Sequence, residues 1–143
     1  MSFKDEKFQF KVMYLTNLTL EWISNNQNFK SSNYKYYKWK RLYKKILKVH
    51  KDYQNANIKS LIIVNEVYVP KLIEIRVARE KINILKNSIK NYKAFSFIYP
   101  NDTRLKRLRT FNDIINLESK SLDLIEDILL QIEENDKERM DTM

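Results

Sequence analysis

The amino-acid sequence predicts an all-α fold: a single-domain bundle of four or five helices with a long C-terminal helix. Two observations point there. Apolar residues recur at steps of three and four in successive stretches of chain, the period of a helix with one buried face. The 143 residues, 43% hydrophobic and 31% charged, suit one globular domain spanning 1–143. A chain of that size buries about two-thirds of the surface its unfolded form exposes.

The first helix is predicted over Lys7–Asn25, where Phe8, Val12, Leu15, Leu18 or Thr19, and Trp22 form a stripe thickened by Met13, Leu20 and Ile23. Asn25, Asn26 and Asn28 follow. In a chain with no glycine, asparagine is the residue left for a left-handed stop. Ser31, Ser32 or Asn33 then caps a second helix through Tyr34–Tyr53. Tyr36, Trp39, Tyr43, Ile46, His50 and Tyr53 share one face of it, widened by Leu42, Leu47 and Val49. Lys38, Lys40, Arg41, Lys44, Lys45, Lys48 and Lys51 fall on the opposite side. Nine Lys or Arg and no Asp or Glu lie between Lys30 and Lys51.

Ile58–Val69 is ambiguous. IKSLIIVNEVYV is rich in β-branched residues and fits a buried strand. Leu61, Val64 or Asn65, and Tyr68 also fit a helix, and one isolated strand has nothing to pair with, which favours the helix. Pro70 is expected in the first turn of a further helix running to about Tyr92 through Ile75, Ala78, Ile82, Leu85 and Ile89. Lys71, Arg76, Arg79, Lys81, Lys86, Lys90 and Lys93 give that helix a basic outer face. Ala94–Thr103 reads as a linker whose Phe95, Phe97, Ile98 and Tyr99 tuck against the core. After Pro100, a cap at Asn101, Asp102 or Thr103 starts the last helix.

That helix has the most regular pattern. Leu108, Phe111, Ile115, Leu122, Ile125, Leu129 and Ile132 alternate steps of three and four, with Glu118 as the one polar exception. Ile114, Leu117, Leu124 and Ile128 make a second stripe. A seam so wide packs against more than one neighbour, in a bundle or on another chain. From Glu133 the polar end is expected to fray.

Composition bounds the function. Lys, Asn, Ile and Tyr supply 60 of the 143 residues, while Gly is absent, Ala numbers three and Pro two. Codons for the first group are A/T-rich and for the second G/C-rich. The gene therefore reads as A/T-rich, as in a virus, mobile element, organelle or low-G/C microbe, and part of the lysine excess is codon drift. Charge placement is harder to ascribe to drift. Residues 1–112 form a basic body with a net charge of +16, and the C-terminal helix and tail, 113–143, carry −7. Such asymmetry suggests a basic working surface with an acidic partner or tail.

Catalytic equipment is sparse. Without glycine there is no P-loop, dinucleotide fingerprint or nucleophile elbow. One histidine and no cysteine leave no zinc constellation beyond carboxylates, and His50 is expected to be a buried, hydrogen-bonded residue of its apolar face. Asp113, Glu118, Asp123, Glu126 and Asp127 could in principle hold a divalent ion, but, Glu118 aside, they mostly lie away from the apolar seam and read as a solvated face. No enzymatic activity, cofactor, metal or small-molecule substrate is expected. The absence of cysteine permits a reducing compartment. MSFKDEKFQF, with Asp5 and Glu6 and no apolar core, is neither a secretory signal nor a transit peptide. No window approaches the length of uninterrupted apolar sequence that a transmembrane helix needs. An intracellular protein is expected, cytoplasmic or associated with a nucleoid or virion.

Two classes of function remain. In the first, the protein is a nucleic-acid-associated accessory protein. Lys38, Lys40, Arg41, Lys44, Lys45, Lys48 and Lys51 grip the phosphate backbone of DNA or RNA, and Arg104, Lys106, Arg107 and Arg109 extend the track. Tyr34 and Tyr37, near the edge of the basic face, are placed for stacking on an unpaired base, although core packing is the commoner use of such tyrosines. No asparagine or glutamine sits among the cations to read bases, so recognition is expected to be weakly sequence-specific. In the second class it is a helical interaction module or homo-oligomer docking on a protein partner through Leu108, Phe111, Ile115, Leu122, Ile125, Leu129 and Ile132. The basic helix also has a bland reading as a solvated lysine face. A membrane-surface role is disfavoured because the core needs its apolar side.

Overall fold

Four helices account for every residue that the structure, a computed structural model, describes: 3–25, 32–55, 65–96 and 104–141. They are α1 (Phe3–Asn25), α2 (Ser32–Asn55), α3 (Asn65–Ser96) and α4 (Arg104–Asp141). Side chains are described for 7–25, 36–55, 67–91 and 109–134. The fold is an all-α bundle with no strand among the described residues.

The periodicity of each helix sets what it buries. On α2, Trp39, Leu42, Ile46, Val49 and Tyr53 are buried, all on the face that their spacing defines. α4 contributes most to the core and packs mainly against α2, then against α3. α1 completes the bundle by touching the other three, while α2 and α3 stand on a diagonal. α1 and α2 are antiparallel, since Phe8 stacks on Tyr53 and Trp22 meets Trp39 edge-on. α3 and α4 are antiparallel too: Arg79 reaches Glu126, and Lys86 reaches Ser119. In the buried face of α1, Thr16 and Thr19 donate their hydroxyls to the carbonyls of Val12 (2.8 Å) and Leu15 (2.7 Å). Each is thereby satisfied within its own helix and can sit in an apolar interior.

The structure differs from the sequence reading in three places. Residues 65–69 are helical and continuous with 70–96, so Pro70 lies in the second turn of α3 rather than opening a separate helix. The reason is that Tyr68 shares its buried face with Ile75, Ala78 and Ile82, so burial continues across the proline. The ring points to solvent, and the one backbone bond it forfeits lies near the helix start. α3 also takes in Ala94–Ser96, which had read as linker, and α4 continues about two turns past Glu133. Third, Phe111, Ile115, Leu122, Ile125, Leu129 and Ile132 are all buried in the chain's own core. That seam docks on α2 and α3 of the same molecule and has no exposed face to offer another chain. The side chain of Leu108, the stretches 26–31 and 58–64 and the segment 97–103 lie outside the described residues.

No described helix is long and apolar enough to cross a membrane.

Candidate functional site

The outer face of α2 follows from its inner one. With Trp39, Leu42, Ile46 and Val49 turned into the core, Lys38, Lys40, Arg41, Lys44, Lys45, Lys48 and Lys51 must point outward, and all seven are exposed. At 100° per residue they cover an arc of about 160°. From Lys38 to Lys51 the strip runs about 20 Å along the axis. Lys38, at its α1 edge, lies over the ring of Trp22, 5.7 Å from the centroid. The other six form no hydrogen bond or ion pair among the described residues.

The cations of α3 behave differently. Lys71 pairs with Glu74 at 3.2 Å, Lys81 donates to the Ser24 carbonyl, and Lys86 donates to the Ser119 hydroxyl at 3.5 Å. Arg79 lies between two acids of α4, with Nη1 2.6 Å from Asp123 and Nη2 2.9 Å from Glu126. Burial lowers its pKa, but its hydrogen bonds to Glu126 and Asp123, and their charge, outweigh this and raise it above the ordinary arginine value. Four of the cations expected to form an outer basic face on α3 therefore tie that helix to its neighbours or to itself.

The acids of α4 are correspondingly engaged. Asp123 and Glu126 take Arg79, and Asp127 lies 2.7 Å from His50 Nε2. Asp113, Asp123 and Asp127 are exposed, as a solvated face requires, and Asp123, Glu126 and Asp127 in addition bridge α4 to α3 and α2. His50 is half-buried, at the rim of the apolar side of α2, and is hydrogen-bonded as expected. None of these contacts reaches the cations of α2's outer face. Among the described residues, no group of three or more His, Asp or Glu gathers where it could hold a metal ion.

Arg104, Lys106, Arg107 and Arg109 occupy the first two turns of α4. The first turn holds no acid, so these cations sit at the end of the helix whose dipole opposes them. Arg109 is exposed, and the side chains of the other three lie outside the described residues.

Two features were hard to see from sequence. Tyr37 is 64% exposed, and its helical position is in the middle of the cationic arc rather than at its edge. Counting residues from Lys40 and Arg41 carries that signal, but nine tyrosines in a chain that needs a core hide it. The second is an apolar face on α3, where Ile73, Val77 and Ile84 are 58%, 62% and 66% exposed. Ile73 and Val77 border a groove of about 470 Å³ against α1, rimmed by Glu21, Glu74, Lys71 and Lys81.

Compared with protein-family models, with curated proteins and with solved structures, the chain matches none.

Proposed function

We propose that the protein is a non-enzymatic nucleic-acid-associated accessory protein that grips the phosphate backbone with the outer face of α2. The observation that carries the reading is the contrast between helices. Lys71, Arg79, Lys81 and Lys86 on α3 are tied into contacts, with Arg76 and Lys90 its exposed exceptions among the described residues, whereas Lys40, Arg41, Lys44, Lys45, Lys48 and Lys51 on α2 are all exposed without an ionic partner among the described residues. Codon drift adds lysines but has no reason to leave a whole face of them without acids. Six like charges within about 20 Å repel one another, and a polyanion relieves that repulsion while releasing its own counterions. Arg104, Lys106, Arg107 and Arg109 are a second cationic set for the same polymer. A backbone-directed grip is weakly sequence-specific, since phosphates carry no base information.

The test is charge reversal. Lys40→Glu, Lys44→Glu and Lys48→Glu together abolish binding to mixed DNA and RNA while the helical circular-dichroism signal is retained. Unchanged affinity in that variant removes the reading.

A second reading is favoured by the exposed Ile73, Val77 and Ile84. That face takes a second copy of this chain, in place of the buried α4 seam. Its bordering charges, Glu21, Glu74 and Glu80 against Lys71 and Lys81, nearly cancel, so two copies of a chain with a net charge of +9 meet there with the least repulsion. Light scattering on the wild type and on Val77→Asp tests it. A dimer that dissociates in the variant supports self-association, and a strict monomer at high concentration removes it.

A further inference from the structure

We infer that the α2 surface selects single-stranded over double-stranded nucleic acid, with Tyr37 as the platform on which an unpaired base stacks. The inference rests on the proposed phosphate grip and adds the class of polymer that fits it.

Tyr37 is an anomaly on its helix. An aromatic ring left 64% in water forgoes much of the burial that stabilises Trp39 and Tyr53 on the same helix. Its position explains little as packing, because Lys40 and Arg41, three and four residues on, are the residues beside it on the helix surface. Lys44 follows about two turns along the same face and Lys48 about three, so the ring stands at the head of a line of cations. It is also held. Tyr36, half-buried against the core, meets it edge-on with centroids 5.6 Å apart and planes at 71°. The turn beneath is pinned by the Trp22–Trp39 pair at 5.3 Å. A ring fixed before binding loses little entropy when a base arrives.

Such a surface suits one strand better than two. A duplex presents phosphates outward and keeps its bases stacked inside, so a ring standing at the head of the strip, on its midline, would find no free base face to stack on. A single strand offers both parts: phosphates for the lysines and a free base face for the ring, a combination tolerant of any base. Because α2's other side is locked into the bundle, the helix offers a ridge and cannot enter a groove from all sides.

The experiment measures affinity by fluorescence anisotropy at one low salt concentration. The probes are a twelve-nucleotide thymidine strand, an abasic strand with the same number of phosphates, and a blunt twelve-pair duplex. A uridine ribonucleotide strand is run beside them to separate RNA from DNA. The proteins are wild type, Tyr37→Phe and Tyr37→Ala, whose exposed position leaves the fold unchanged by circular dichroism. Expected is tighter binding of the thymidine or uridine strand than of the abasic strand or the duplex. Tyr37→Ala weakens that binding by about fivefold or more, down to the abasic level. Tyr37→Phe, which keeps the stacking face, binds as wild type does. Equal affinity for all probes with Tyr37→Ala indistinguishable from wild type overturns the single-strand inference and leaves the phosphate grip standing. Binding of no probe overturns both.

Discussion

His50 Nε2 and Asp127 Oδ2 lie 2.7 Å apart, joining α2 to α4 across 77 residues of chain. Asp127 also accepts from Gln131, one turn on, at 2.8 Å, so the carboxylate is aimed before the histidine meets it. The buried face of α2 sets the direction in which the outer lysines point, and this contact at its rim adds a polar tie to α4. Asp127 is half-exposed, which limits its worth to about 1 kcal/mol. Asp127→Asn is expected to lower stability by less than about 1 kcal/mol, measured by urea denaturation, and to leave nucleic-acid affinity within about twofold. A loss of several kcal/mol would show that the pair contributes more to the bundle than its exposure implies.

The Arg79 fork is the stronger tie between α3 and α4. It engages two acids through separate nitrogens, a geometry that an ammonium group cannot reproduce. Arg79→Lys is expected to destabilise by about 1–2 kcal/mol and Arg79→Ala by somewhat more. Its pKa is raised in the folded state, so its contribution is fully present below the ordinary arginine range and is lost only as pH climbs through the raised value. Deprotonation of Arg79 therefore gives the stability profile no slope across neutral pH. Equal stability of Arg79→Lys and wild type in denaturant titrations would contradict the geometric argument.

Much of the fold was legible because burial follows period. The stripe of Phe111, Ile115, Leu122, Ile125, Leu129 and Ile132 is readable residue by residue, whereas on α2 the buried face is turned towards Leu42 and Val49 and leaves the expected Tyr36, Tyr43 and His50 half-buried at its rim. What was not legible depended on partners distant in sequence. No local pattern says that Arg79 meets Asp123 and Glu126, or that Lys81 reaches the end of α1. For the same reason a seam for the core and a seam for a partner look alike in sequence, and only the packing of α2 and α3 on α4 separates them. Pro70 departs from its expected place because the continuity of the buried face from Tyr68 to Ile75 outweighs the helix-starting preference of proline. The cationic arc, by contrast, is a local property of α2 and needed only the period.

The seam's role inside the chain has a direct consequence. Ile115→Ala and Leu122→Ala, each at a fully buried site, are expected to cost about 2–5 kcal/mol, read from the denaturation midpoint. Each remains at the wild-type mass by light scattering at concentrations where it is folded. A dissociating oligomer with little loss of protomer stability would instead mark the seam as an interface.

Ser121 gives a prediction of opposite sign. Its hydroxyl is fully buried and has no hydrogen-bond partner among the described residues. Removing it relieves a desolvation penalty, so Ser121→Ala is expected to be neutral or to stabilise by up to about 1 kcal/mol in chemical denaturation. A clear destabilisation would mean that the hydroxyl makes a bond in solution.

The account stands on the cationic face of α2 acting as a phosphate grip, and salt dependence of binding tests that most directly. Affinity for one oligonucleotide is measured over a series of salt concentrations. Neutralisation of about six phosphates gives a plot of log K against log salt that falls with a slope of about −4 to −5. Lys40→Glu, Lys44→Glu and Lys48→Glu together remove the binding. A slope near zero, or no association at low salt, contradicts the account.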